Sequence, residues 1–100
     1  MPVRTTPFDP ASYLDTEAAV ATYLTEALES NDPGFIADAL GVVARARGMS
    51  QVARDAGLSR ESLYRTLGPD GNPELSTLLR VLQALHLRLT VRPADISEPV

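Results

Sequence analysis

Within the stretch GMSQVARDAGLSRESLYRTLG, residues 48–68, three guanidinium groups (Arg54, Arg60 and Arg65) stand among the hydroxyls of Ser50, Ser59, Ser62 and Tyr64 and the amide of Gln51. This is a chemistry for holding a ligand rather than for breaking a bond. A guanidinium offers a planar fork of donors that meets phosphate or carboxylate two bonds at a time, and hydroxyls and amides add single bonds to the same groups. All nine basic residues are arginine and none is lysine. That composition favours planar contacts over diffuse positive charge, although a GC-rich genome would give the same bias. Reactive constellations are missing. The chain has no cysteine and a single histidine, His86, in a leucine-rich context, so there is no thiolate nucleophile, no His-x-x-x-His pair and no thiolate metal site. The paired carboxylates Glu26 and Glu29 read as solvated charge on an exposed helix face. The expectation is a binding protein, not an enzyme, with no metal and no cofactor.

Charge is distributed unevenly along the chain. Residues 1–41 carry Arg4 against seven carboxylates, a balance of −6. Residues 42–68 carry five arginines against Asp55 and Glu61, a balance of +3, and residues 69–100 come to −1, completing the net charge of −4. An acidic third and a basic centre in one small protein suit two partners of opposite sign. Acidic helices that merely keep the chain soluble would give the same count.

Elements that could position these groups follow from the apolar spacing. Val20, Tyr23, Leu24, Ala27 and Leu28 make one face of a helix over Thr16 to Ser30, with Thr16 as its N-cap. Asp32-Pro33 reads as the cap and first residue of a second helix, whose stripe is Ile36, Ala39, Leu40, Val43 and Ala44 and which Gly48 ends. A third short helix covers SQVARDA and stops at Gly57; a fourth runs from Ser59 to about Leu67. The turn-rich GPDGNP precedes a fifth, begun by Asn72-Pro73 and lined by Leu75, Leu78, Leu79, Leu82 and Leu85. From Leu85 the period changes to two, with Leu87, Leu89 and Val91 alternating with Arg88, Thr90 and Arg92, which predicts a half-buried strand. A lone strand needs a partner edge. Either the N-terminal VRTTPF or the same strand of a second subunit could supply it, and the second is favoured, with Leu87, Leu89 and Val91 at a homodimer contact.

One hundred residues with 44% hydrophobic content suit a single domain. Its parts are an N-terminal segment and acidic helix (1–31), a helical core (32–86), a strand (87–92) and a tail (93–100), with the first ten and last eight residues frayed. No apolar run is long enough to cross a membrane and the N-terminus lacks a signal-peptide pattern, so the expected location is cytoplasmic. In the opening stretch, Ala53 and Ala56 are small where two helices must approach, Gly57 allows a positive φ in the turn, and Leu58 and Leu63 anchor the second helix. That is a helix-turn-helix arrangement. Ser59 would cap its second helix, which then presents Arg60, Glu61, Ser62, Tyr64 and Arg65 outward.

The run VARDAGLSRESLYRTL followed by GNPELSTLLRVLQALHLRL resembles the Cro/C1-type (XRE) helix-turn-helix family over about residues 33–90. Over nearly its whole length the chain is similar to the small HigA-like addiction-module antidote proteins. The resemblance implies an all-α, five-helix Cro/C1-type domain with a short C-terminal β-strand, paired across a dimer. It also implies a type II antitoxin that represses its own promoter and neutralises a small basic RelE/HigB/ParE-like toxin encoded beside it. Positions matching Arg60, Glu61 and Arg65 are the family's base-reading positions, arginine suiting guanine and glutamate suiting cytosine N4. Ser59, Ser62, Tyr64 and Arg54 fall at phosphate or sugar contacts. Met49 stands where the family commonly has a phosphate-binding glutamine, which leaves Ser50 and Gln51, at a helix N-terminus, as the donors available there. For the toxin, the candidates are Tyr13, Glu17, Tyr23, Glu26 and Glu29. The alternatives are a protein-binding adaptor derived from a helix-turn-helix, which the net charge of −4 keeps open, and a stand-alone repressor without a toxin.

Overall fold

The computed structural model describes residues 15–94, and Tyr13 and most of the two chain ends expected to fray lie outside them. Among the described residues the protein is all-α, with five helices: α1 (Glu17–Glu29), α2 (Pro33–Arg47), α3 (Met49–Ala56), α4 (Arg60–Thr66) and α5 (Leu75–Ala84). Local chemistry sets most of the boundaries. Thr16 Oγ1 accepts the Ala19 N–H at 3.0 Å at the start of α1. Asp32 accepts from Gly34 and Phe35 at 3.0 and 3.4 Å, with Pro33 in the first turn where its missing N–H costs nothing. Gly48, at φ 110°, both ends α2 and begins α3, so no linker separates the two.

The helices close on one apolar core. Val20 and Leu24 of α1, Leu40 and Val43 of α2, Val52 and Ala53 of α3, Leu63 of α4, and Val81 and Leu82 of α5 are all buried, and no polar or charged side chain among the described residues is. α1 packs against α2, and α3 against α2, α4 and α5. Gly41 permits one close approach inside α2. A Cβ there would sit 2.7 Å from the backbone carbonyl of Leu67, so the end of α4 rests on α2 where only hydrogen fits.

Three expectations need correction. The fifth helix begins at Leu75, with Glu74 extended (φ −66°, ψ 158°) at its N-cap, so Asn72-Pro73 lies in irregular chain ahead of the helix rather than at its start. The leucine stripe of α5 is only partly covered: Leu82 is buried and Leu78 half-buried, but Leu75 and Leu79 are 64% and 44% exposed. The strand over 87–92 is not formed, and no strand occurs among the described residues. The alternation that suggested it belongs instead to a helix end. His86 takes a left-handed backbone (φ 64°), its N–H bonds to the Gln83 carbonyl, and the Leu87 N–H reaches back to the Leu82 carbonyl at 2.9 Å. This pairing of bonds is the Schellman closure. Leu85 is buried and Leu87 packs against the core because they flank that closure, while Leu89 and Val91 beyond it are exposed. A strand exists only by pairing, and among the described residues no backbone bridge forms to residues 87–94, where Arg92 instead meets Glu29 of the helical α1.

Candidate nucleic-acid interface

α3 and α4 are joined by Gly57, Leu58 and Ser59. The end of α3 repeats the closure seen at α5, with the Gly57 N–H bonded to the Arg54 carbonyl and the Leu58 N–H to the Ala53 carbonyl at 2.8 Å. Gly57 sits at φ 74°, a conformation that favours glycine. Two residues later the Ser59 hydroxyl accepts the Ser62 N–H at 3.0 Å and starts α4. Leu63 and Leu67, fully buried, hold the inner side of α4 to the core. Arg60, Glu61, Tyr64 and Arg65 are therefore exposed, and Ser62 is half-covered.

An arginine from another helix fixes this turn. Arg80 of α5 donates from Nε to the Ala56 carbonyl at 2.9 Å and from Nη2 to the Gly57 carbonyl at 2.8 Å. Both acceptors belong to the C-terminal end of α3, whose last carbonyls lack intrahelical partners and carry the negative end of the helix dipole. The reading of the sequence missed Arg80. The one signal was a single charge inside LSTLLRVLQAL, which looks like ordinary solvated charge until α5 is placed against α3.

On α3 the exposed polar residues contact one another. The Gln51 amide donates to both carboxylate oxygens of Asp55 at 3.0 Å, and Arg54 Nη1 donates to Gln51 Oε1 at 3.2 Å. Ser50 is exposed in the first turn of α3, which no side chain caps, leaving its leading N–H groups open to an acceptor. On α4 the Arg60 guanidinium lies 5.3 Å from the centre of the Tyr64 ring and its Nη2 is 3.4 Å from the tyrosine hydroxyl. That contact orients Arg60 while leaving most of its donors free. Among the described residues, Arg54, Arg60 and Arg65 form no direct ion pair; Asp55 meets Arg54 only through Gln51.

The candidates for a protein partner lie on α1 and its surroundings. Glu26 is exposed. Glu29 is 3.5 Å from Arg92, and Glu17 Oε2 is 3.0 Å from His86 Nδ1, so that histidine ties the end of α5 to the start of α1. Tyr23 is half-buried. Burial, and secondarily the Asp38 carboxylate, push its phenol above the ordinary tyrosine value, with Arg45 opposing. Among the described residues no helix is long and apolar enough to cross a membrane, and no group of side chains could hold a metal ion.

Among the described residues, then, an all-α architecture carries an arginine-bearing helix pair held by an arginine of α5, with exposed carboxylates on α1. The chain belongs to the family described as "Probable addiction module antidote protein", whose model it matches over residues 4–93. It is also similar to an uncharacterized protein of Haemophilus influenzae, 47% identical over 90 residues, which make up 90% of this chain and 93% of the relative. No solved structure matches the chain.

Proposed function

We propose that this antidote is a DNA-binding autorepressor that neutralises a small, basic RelE/HigB/ParE-like toxin. α3, the turn at Gly57 and α4 act as a Cro/C1-type helix-turn-helix, with α4 entering the major groove. Arg60, Arg65 and Glu61 read base edges, and Ser50, Gln51, Arg54, Ser59, Ser62 and Tyr64 hold phosphate or sugar. The observation that carries the reading is the unpaired arginine face of α4, set by the Ser59 cap on one side and the buried Leu63 and Leu67 on the other. A protein of net charge −4 has no general attraction for polyanions, so affinity must arise from a local patch of this kind. α1, with Glu17, Tyr23, Glu26 and Glu29, faces the toxin.

The operator reading calls for two copies of α4, and we assign Leu89 and Val91, exposed beyond the end of α5, together with Leu87, to a homodimer contact. Co-expression with the neighbouring reading frame, alongside a promoter reporter, tests the assignment. Arg60→Ala and Arg65→Ala should still rescue cells from the toxin while failing to repress. Folded arginine variants that lose rescue as completely as repression would show that the two surfaces are one.

A further inference from the structure

An apolar groove opens where α1, α2 and α5 meet, lined by Leu24, Leu28, Ile36, Leu40, Leu78 and Leu82. Three large apolar side chains on its helices stand well out of the core: Phe35 at 52% exposure beside Ile36, and Leu75 and Leu79 at 64% and 44% on either side of Leu78. Leu75, Leu78, Leu79 and Leu82 have the spacing of one helix face, so the exposed leucines continue the groove's own lining outward. Exposed large apolar side chains beside an apolar groove on a small protein are the kind of surface that marks a contact. The charges around it have one dominant sign. Glu29 follows Leu28 at the C-terminal end of α1, Asp32 caps α2 just ahead of Phe35, and Glu74 caps α5 just ahead of Leu75. Arg80, in the middle of α5, is engaged by the carbonyls of Ala56 and Gly57, and the arginines of α2 lie in its last turn, away from Phe35. Arg92 rests 3.5 Å from Glu29, which shows that this rim accepts a guanidinium.

We propose that this groove, with the exposed Leu75 and Leu79 beside it, is the apolar anchor site for the basic partner, taking aliphatic or aromatic side chains of the toxin while the carboxylates at the helix ends meet its cationic rim. The inference rests on the toxin reading above and adds to it the part of the contact that would hold the complex once charge has steered it together. A second copy of this chain is the competing occupant, and charge decides against it. In a two-fold contact the same patch meets itself, so the Asp32 and Glu74 carboxylates would be brought against a rim of their own sign, whereas a basic partner finds them complementary.

The test uses the full-length protein and the purified product of the neighbouring reading frame, with binding followed by calorimetry. The double variant Leu75→Asp with Leu79→Asp alters exposed positions, so circular dichroism and melting should stay close to wild type. Added carboxylates strengthen the long-range attraction to a basic protein, so any weakening reports the apolar contact. At least a tenfold rise in Kd for the toxin is expected, with promoter affinity within twofold of wild type. Phe35→Ala, at an exposed apolar position next to Ile36 of the lining, should also weaken binding severalfold and serves if the double variant misfolds. Toxin affinity unchanged in both variants overturns the assignment. So does conversion of a wild-type dimer to monomer by the double variant with toxin binding intact, which would give the groove to a second copy. If the wild-type protein binds its promoter but not the toxin, the toxin reading itself fails and the anchor site falls with it.

Discussion

Arg80→Ala isolates a contact that makes no use of packing or charge complementarity on the surface. Alanine and arginine have nearly the same helix propensity, so α5 itself is not weakened. What is lost is a pair of charge-assisted bonds, 2.9 and 2.8 Å long, to the carbonyls of Ala56 and Gly57. Bonds to charged groups contribute about 1.5–3 kcal/mol each, but water can reach carbonyls freed beside an exposed side chain, so the pair together is expected to be worth about 2 kcal/mol. For a domain of this length that corresponds to a fall in melting temperature of roughly 8–16 °C. A double-mutant cycle sharpens the attribution. A Cβ at Gly57 would lie 3.0 Å from Arg80 Nη2, on a residue already at φ 74°. Gly57→Ala should therefore cost about 1–2 kcal/mol for the left-handed backbone alone, and more while the guanidinium is present. Urea unfolding of both single variants and the double should give a coupling of about 0.5–1 kcal/mol. An Arg80→Ala protein within 0.5 kcal/mol of wild type, on the scale of an ordinary surface change, or a cycle additive to within about 0.3 kcal/mol, would refute the clamp.

Arg60→Ala and Arg65→Ala should each weaken operator binding by about 1–3 kcal/mol and relax sequence preference; equal, wild-type-like affinities of Arg60→Ala for operator and scrambled DNA would remove it from the reading surface. Charge reversal at Glu26 and Glu29 should slow association with a basic toxin and flatten its salt dependence, since exposed charges act mainly on encounter, and stopped-flow rates measured at two salt concentrations check this. His86→Gly should be more stable than His86→Ala by about 1 kcal/mol, because both lose the Glu17 contact and only glycine relieves the left-handed backbone; thermal melts with alanine equal to or above glycine would contradict it. Leu89→Asp should sediment as a monomer at micromolar concentration, and a persistent dimer would move the interface elsewhere.

The five helices were legible because each rests on local chemistry: Thr16, Asp32 and Ser59 as caps, Gly48 and Gly57 as stops, and apolar stripes that are buried in α1 and α2 much as their spacing indicates. The strand was misread because Leu85 and Leu87 carry a period of two for a reason the pattern does not encode, the left-handed His86 between them. α5 was placed too early because Asn72-Pro73 has the composition of a helix start, yet the chain stays extended through Glu74. Which leucines of α5 are covered depends on how the helix docks on α3 and beside α1 and α2. Periodicity alone therefore could not separate Leu82 from Leu75. In the candidate site, the exposed residues of α4 followed from the Ser59 cap and the Leu63 anchor. Arg80 did not, because its partners lie 23 and 24 residues away in sequence.

Gly48 gives the abutment of α2 and α3 a mechanical meaning. With one residue ending the first helix and beginning the second, the backbone between the acidic half and the arginine half has a single pair of soft torsions, φ and ψ of that glycine. There is no tether to slacken. A torque applied to α1 and α2 by a bound protein passes along the main chain through this one joint, and the buried contacts of Val43, Val52 and Ala53 resist its turning. On the two-partner reading proposed above, occupancy on one side would reach the other along the main chain as a rotation at this glycine, and a longer connector inserted at residue 48 would loosen that link while leaving the exposed side chains of α1 and α4 unchanged.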